Sequence, residues 1–359
     1  MSAKPLIRVL VIDDSAFSRQ VVTRMLSKSP LVEVVGVARD GEDALKKTFE
    51  LKPDLITLDL EMPRMDGFTF LRIVMAKRPT PVMVISSRVG EESVFRALEL
   101  GAVDFLAKPT PRAGDELAKI ERELIRKVHA IRELRIEKVS ERISALPAPA
   151  TAAVQPSSPR IVVIGCSTGG PAALMQIFAA FTEAPRCAFA VAQHMPSGFT
   201  RGFAERVDRL TPLRAREARG GEDLVNGTVL IAPGGSHLEL TTGLGRVVTR
   251  VLPSEPNDKY APSVDRLFES AAKHFGSELT AVVLTGMGDD GRRGALAVRE
   301  AGGVVLAESE QTAVIFGMPQ QAIRAGAVDQ VLPLHEIAGA LRSGLAGRRD
   351  AGRATRAGR

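Results

Sequence analysis

From Ile7 onward, short apolar runs alternate with helical patterns. IRVLVIDD, VEVVGVA, DLITLDL, PVMVISS and VDFLAKP are each followed by a segment whose apolar residues recur at spacings of three and four. Hydrophobicity is continuous within the runs, the pattern of strands covered on both faces. Five strand–helix units in the first third of the chain therefore predict an open parallel sheet. A charged helical stretch follows, LAKIERELIRKVHAIRELRIEKVSERI, with Ile120, Leu124, Val128 and Ile131 as its apolar stripe. It ends in ALPAPATAAVQPSSP, whose prolines and small residues predict a semi-rigid linker and a domain boundary.

The alternation resumes at Arg160. IVVIGCS, CAFAVAQHM, GTVLIAPGG, LTAVVLTGM, GGVVLAES and VDQVLPL read as strands. Helices are predicted near Ala172–Phe181, Thr200–Leu210, Ser263–Phe275, Gly291–Ala301 and Pro319–Ala325. HLELTTGLGRVVTRV reads as a hairpin, with Gly243 and Gly245 supplying the turn. The second half is thus a second α/β domain, and a length of 359 residues suits two cores.

Composition excludes several classes. With 45% hydrophobic and 25% charged residues the chain is neither disordered nor fibrous. Cys166 and Cys187 provide no disulfide framework and no metal-ligand set, which points to the cytoplasm. Arg8, Asp13 and Asp14 break the early apolar run, so no signal peptide is expected. Ile161 to Thr182 carries no formal charge, but Ser167-Thr168-Gly169-Gly170-Pro171 at its centre predicts a strand, a turn and a helix rather than a membrane span. The net charge of +6 lies mostly in the last twelve residues, which hold five arginines and one aspartate. Without basic–aromatic interleaving elsewhere, a nucleic-acid partner is not expected, and the tail reads as solvated chain.

Candidate chemistry sits at the predicted strand ends. Asp13 and Asp14 close the first strand, Asp59 the third, Ser86 the fourth and Lys108 the fifth. Strand C-termini of a doubly wound sheet share one edge, so these residues converge on one pocket. Three carboxylates there repel unless a hard cation such as Mg²⁺ joins them. Asp59 is then placed to attack a phosphoryl group, with Lys108 and Ser86 on its oxygens. Each aspartate alone reads equally well as a helix cap; the ordered set does not.

In VLVIDDS, LITLDLEMPRMDG, VISS and FLAKP, residues 5 to about 125 resemble a response-regulator receiver domain. The resemblance implies a flavodoxin-like fold, phosphorylation of Asp59 by a histidine kinase, and Mg²⁺ bound by Asp13, Asp14 and Asp59 with the Glu61 carbonyl. Phe105 stands where such domains often carry a switch tyrosine.

A second set follows the linker. Gly165-Cys166-Ser167-Thr168-Gly169 has the form of a nucleophile elbow, a tight strand-to-helix turn that leaves the serine hydroxyl exposed and backbone N–H groups free for an oxyanion. A glycine-rich turn without chemistry has the same letters. His194 closes the next strand, and Asp289 and Asp290 follow LTAVVLTGMG. Serine, histidine and a carboxylate make a complete acyl-transfer set, recognised by geometry rather than chain order. His237 is a rival base, and Cys166, pointing back toward the packed side, a weaker nucleophile.

VIGCSTGGP, VAQHMPSGFT, VLIAPGG, PSVDRLFES and VVLTGMGDDG, taken with the receiver-like half, resemble the chemotaxis protein-glutamate methylesterases of the CheB family. The resemblance implies a receiver over 1–125, a helical and Pro/Ala-rich linker over 126–157, a doubly wound methylesterase domain with a mainly parallel sheet and a hairpin over 158–345, and a basic tail over 346–359. It implies a phosphorylation-activated hydrolase that demethylates glutamate γ-methyl esters on chemoreceptors and deamidates receptor glutamines, with no cofactor for that reaction. Ser167, His194 and Asp290 match the family triad, and Thr168 and Met287 the backbone donors to the oxyanion. Contact with membrane receptors is then peripheral, without insertion. A transcription regulator would need a helix-turn-helix reader in place of the second α/β domain. A scaffold with a decayed triad shares the same spacings.

Overall fold

The computed structural model describes residues 5–86, 91–108, 114–130, 160–243 and 245–343. In the first half the elements are β1 (Ile7–Ile12), α1 (Ala16–Leu26), β2 (Val32–Ala38), α2 (Gly41–Leu51), β3 (Leu55–Leu58), α3 (Gly67–Lys77), β4 (Val82–Ser86), α4 (Glu91–Glu99), β5 (Asp104–Ala107) and α5 (Gly114–Ala130). The five strands pair in parallel in the order β2-β1-β3-β4-β5. β3 and β4 are buried at every residue, as continuous apolar runs require. Helix starts follow from local capping: Ser15, Asp40 and Asp66 each accept from a backbone N–H three residues on. Helix α5 runs past position 125, burying Ile120, Leu124 and Val128. Ile131, the Pro/Ala-rich stretch and the basic tail lie outside the described residues.

The second half comprises β6 (Arg160–Cys166), α6 (Gly170–Ala179), β7 (Cys187–Gln193), α7 (Thr200–Leu210), β8 (Arg214–Glu217), β9 (Thr228–Ile231), β10 (Ser236–Gly243), β11 (Arg246–Pro253), α8 (Val264–Phe275), β12 (Leu279–Val283), α9 (Arg292–Glu300), β13 (Val304–Glu308), α10 (Met318–Arg324), β14 (Gln330–Leu332) and α11 (Leu334–Ser343). Seven strands form a parallel sheet in the order β14-β13-β12-β6-β7-β9-β8, and β10 with β11 forms a separate antiparallel hairpin. The strand order reverses between β6 and β12. That switch opens a crevice beyond their C-terminal ends. The uncharged stretch from Ile161 is β6, a turn and α6, and no described helix is long and apolar enough to cross a membrane.

Two elements differ from expectation. β8, Arg-Ala-Arg-Glu, is an edge strand in which only Ala215 is buried, so it carries no apolar run. VDQVLPL pairs only over Gln330–Leu332, because Pro333 has no N–H to donate, and Leu334 opens α11 instead.

The two halves pack together on the β5, α4 and α5 side of the first. Phe105 lies against Phe199 (4.8 Å between centroids) and Phe95 against Phe203 (5.5 Å). Val103 and Ala130 meet Val314 and Ile315. Arg206 pairs with Glu99, and Arg209 with Glu92 at the rim (2.9 Å).

Candidate active site

β6 leaves the sheet at Cys166, and the chain turns through Ser167 and Thr168 into α6. Gly169 makes the turn possible, since its φ of +79° falls in the left-handed region. Pro171 follows in the first helical turn, where no N–H is needed. The turn is fastened from several sides. Ser167 N donates to Thr285 O (3.0 Å), the Thr285 hydroxyl to Thr168 O (3.0 Å), and Gln193 Nε2 to Ser167 O (3.0 Å) and His194 O (2.9 Å). Thr285 N in turn donates to the buried carboxylate of Glu308 (2.8 Å). The N–H groups of Thr168 and Met287 donate to no described residue.

His194 follows β7, the strand beside β6, and its N–H donates to Cys166 O (3.0 Å). The ring meets Asp290 through Nε2 (2.8 Å). Asp290 is anchored at the start of α8, where Oδ2 accepts from Val264 N (2.8 Å) and Oδ1 from Asp265 N (2.9 Å) and the Ser263 hydroxyl (3.1 Å). Burial alone pushes its pKa up. The His194 bond and charge and the two helix N–H groups outweigh it and hold the carboxyl below its ordinary value. An ionised carboxylate only accepts, so Nε2 carries a ring proton, and in the neutral imidazole Nδ1 then presents the lone pair. Nδ1 is buried and has no hydrogen-bond partner.

The structure separates the alternatives. Asp289 faces outward and binds Lys259 Nζ (2.7 Å), which keeps its pKa low. His237 is fully buried with both nitrogens engaged, Nε2 with Asp258 (2.7 Å) and Nδ1 with Ser263 N (3.2 Å). Cys166 is fully buried, and burial, with the Glu308 charge second, drives its pKa well up, so it stays a thiol. Gln193, Thr285, Glu308 and Tyr260 also build the site. Gln193 and Glu308 left a mark in the sequence, each as a lone polar residue ending an apolar strand.

In the first half, carboxylate oxygens of Asp13, Asp14 and Asp59 lie within 4.8 Å of one another. Lys108 Nζ reaches Asp59 (2.8 Å) and Asp13 (3.0 Å), and the Glu61 N–H donates to Asp59. Ser86 is buried at the end of β4; Phe105 is buried in β5 and turned to the second half. Burial first raises the Asp13 and Asp59 pKa values, and one ammonium does not offset it. Burial alone lowers the Lys108 pKa, but its bonds to Asp59 and Asp13 prevail and raise it. Three oxygen donors with excess negative charge fit a hard cation. A carboxyl with a raised pKa favours its neutral form in the fold, so at neutral pH its charge destabilises, and the cost fades as pH falls through the raised pKa. Asp59→Asn is therefore expected to raise the receiver's unfolding midpoint by a few degrees at pH 7 in chelator, and less at lower pH. Calorimetry reads this; a lowered midpoint at pH 7 would mean that the Lys108 pair outweighs burial.

The halves also meet at the Ser167 turn. The Thr168 hydroxyl donates to Asp104 Oδ2. Lys127 Nζ donates to the other oxygen of Asp104 (2.7 Å) and to Phe105 O (2.9 Å). The receiver-like half therefore touches the residue after Ser167 through a buried ion pair.

Known proteins agree with this architecture. Residues 162–341 match the family model described as CheB methylesterase, and residues 9–120 match the response regulator receiver domain. A Geobacter sulfurreducens protein named protein-glutamate methylesterase/protein-glutamine glutaminase 3 is 49% identical over 92% of this chain and 95% of its own. A Myxococcus xanthus protein of the same name, numbered 1, is 48% identical over 97% and 100%. The crystal structure of the Thermotoga maritima CheB methylesterase catalytic domain, 42% identical, covers 52% of this chain and 98% of its own with a TM-score of 0.49. With a receiver domain ahead of a catalytic domain, and matched along nearly its whole length, the chain belongs to the CheB methylesterase family.

Proposed function

We propose that this chain hydrolyses glutamate γ-methyl esters on chemoreceptors, and deamidates receptor glutamines, through Ser167, His194 and Asp290. The observation that carries the reading is the His194–Asp290 pair anchored at the α8 start, which leaves Nδ1 unpaired just past β7, the strand beside the one that leads into Ser167. Ser167 Oγ attacks the γ-carbonyl carbon while His194 Nδ1 takes its proton. Charge developing on the carbonyl oxygen is met by the Thr168 and Met287 N–H groups. His194 returns the proton to the methoxy oxygen, and methanol leaves. Water then attacks the acyl-enzyme by the same route, releasing glutamate and restoring Ser167. For a glutamine substrate the leaving group is ammonia. Methanol release from methylated receptor membranes, with mass spectrometry of an acyl adduct on Ser167, tests the reading; an adduct on Cys166 would overturn it.

The receiver supplies control. Asp59 accepts a phosphoryl group from a histidine kinase, with Lys108 and Ser86 on its oxygens. Asp13, Asp14 and Asp59 with the Glu61 carbonyl would hold a Mg²⁺ ion, which would supply neutralisation of the phosphoryl charge. Strand β5 runs from Asp104, bonded to Thr168, to Ala107, next to Lys108. A shift of Lys108 on phosphorylation thereby reaches the esterase turn. Asp104→Asn weakens this contact to the Thr168 side chain while leaving Ser167, His194 and Asp290 unaltered. It is expected to raise unphosphorylated methanol release several-fold and to shrink stimulation by a phosphodonor, both read from initial rates. Unchanged basal rate and stimulation would exclude Asp104 from the coupling.

A further inference from the structure

The chain has one tyrosine, and it lies flat on His194. The Tyr260 ring and the imidazole are 4.6 Å apart between centroids and 8° from parallel. The tyrosine is itself held: its hydroxyl is 3.4 Å from Asp289 Oδ1, which also binds Lys259 Nζ (2.7 Å), and that ammonium lies 4.9 Å from the ring centroid. Gly288 takes the shape this needs, with φ of +94° and its missing Cβ leaving room for the hydroxyl, which a Cβ would approach to 2.3 Å. The loop carrying Asp290 is thus folded around the tip of Tyr260.

We propose that Tyr260 is a positioning residue for the ester hydrolysis, a plate that fixes the plane of the His194 imidazole. One hydrogen bond, Nε2 to Asp290, fixes a point on the ring but leaves rotation about the bond to it open. Proton transfer at Nδ1 depends on that rotation. A parallel aromatic face removes the freedom, and its negative π-cloud attracts the imidazolium that forms as Ser167 attacks. Of the charged groups around the pair, Asp290 meets the imidazole, Lys259 and Asp289 meet the phenol, and Arg126 from receiver helix α5 lies 5.7 Å from the Tyr260 centroid, while Arg122, Glu123, Glu255 and Asp258 line the same cavity. Asp289 then has a role apart from that of Asp290: Asp290 holds the ring edge of His194, and Asp289 holds the residue that covers its face.

This inference rests on His194 acting as the base, so Ser167→Ala serves as its control. In the full chain under phosphodonor, Tyr260→Ala and Tyr260→Leu are expected to lower kcat by about ten- to a hundredfold with KM within about twofold. Tyr260→Phe keeps the face and should stay within about threefold of the parent. Folding of each variant is checked by NMR, where loss of the aromatic ring current should also move the His194 ring protons in Ala and Leu but not in Phe. Parent-like kcat in Tyr260→Ala, or a Phe variant as impaired as Ala, overturns the plate. Methanol release surviving in Ser167→Ala would instead overturn the triad itself.

Discussion

Ser167→Ala should release methanol from methylated receptors at least about 10⁴-fold more slowly than the parent, since members of an acyl-transfer triad act as a unit and losing one forfeits most of what all supply. The serine lies in a turn held through Thr285, Gln193 and Glu308. Alanine there leaves those bonds in place, because Ser167 contributes only its backbone N–H and carbonyl to them. The loss is therefore chemical, and thermal unfolding should be unchanged. His194→Ala should cost about as much. Combining the two should cost little more than either alone. In the proposed scheme Asp290 fixes the tautomer, so Asp290→Asn is expected to cost less than either. A remnant rate is expected from the proposed Thr168 and Met287 donors, which the substitutions do not reach. Methanol release by Ser167→Ala within tenfold of the parent would remove the acyl-enzyme from the scheme.

Asp59→Asn should take up no label from a phosphorylated histidine kinase or a small acyl phosphate, and its methanol release should stay at the basal rate whatever phosphodonor is added. The acid pocket offers three carboxylates, but Asp59 is the one that meets both Lys108 and the Glu61 N–H. Asp13 also holds the Ser15 N–H that opens α1, a structural task. Parent labelling should require Mg²⁺ and vanish in chelator. Stable acid-labile phosphate on the Asp59→Asn chain would place the acceptor on another carboxylate.

Much of this was open to a reading of the sequence for one reason: a parallel sheet brings all its strand ends to one edge. Ser167, His194 and Asp290 close β6, follow β7 and follow β12, so chain position alone puts them in one crevice. The same reason gathers Asp13, Asp59, Ser86 and Lys108. What stayed hidden depends on side chains far apart in sequence. Tyr260 lies in a loop with no periodicity, and only the folded chain shows its ring on His194. Spacing left Asp289 and Asp290 as neighbours of equal standing. The hydrogen bonds from the α8 N-terminus distinguish them, and no local pattern encodes those. Asp104 reads as a polar strand start until Thr168 and Lys127 are seen around it.

Tyr260 also makes the chain its own reporter. With one tyrosine and no tryptophan in 359 residues, intrinsic ultraviolet emission comes from a single phenol. That phenol is stacked on His194, within hydrogen-bonding reach of Asp289, with Arg126 of the receiver over its ring. A receiver that moved away on phosphorylation would take the guanidinium with it, and the quantum yield of the phenol should change. An unlabelled sample in a stopped-flow fluorimeter would then time such a separation after phosphodonor is added. Whether opening precedes or follows the rise in methanol release becomes a matter of comparing two traces.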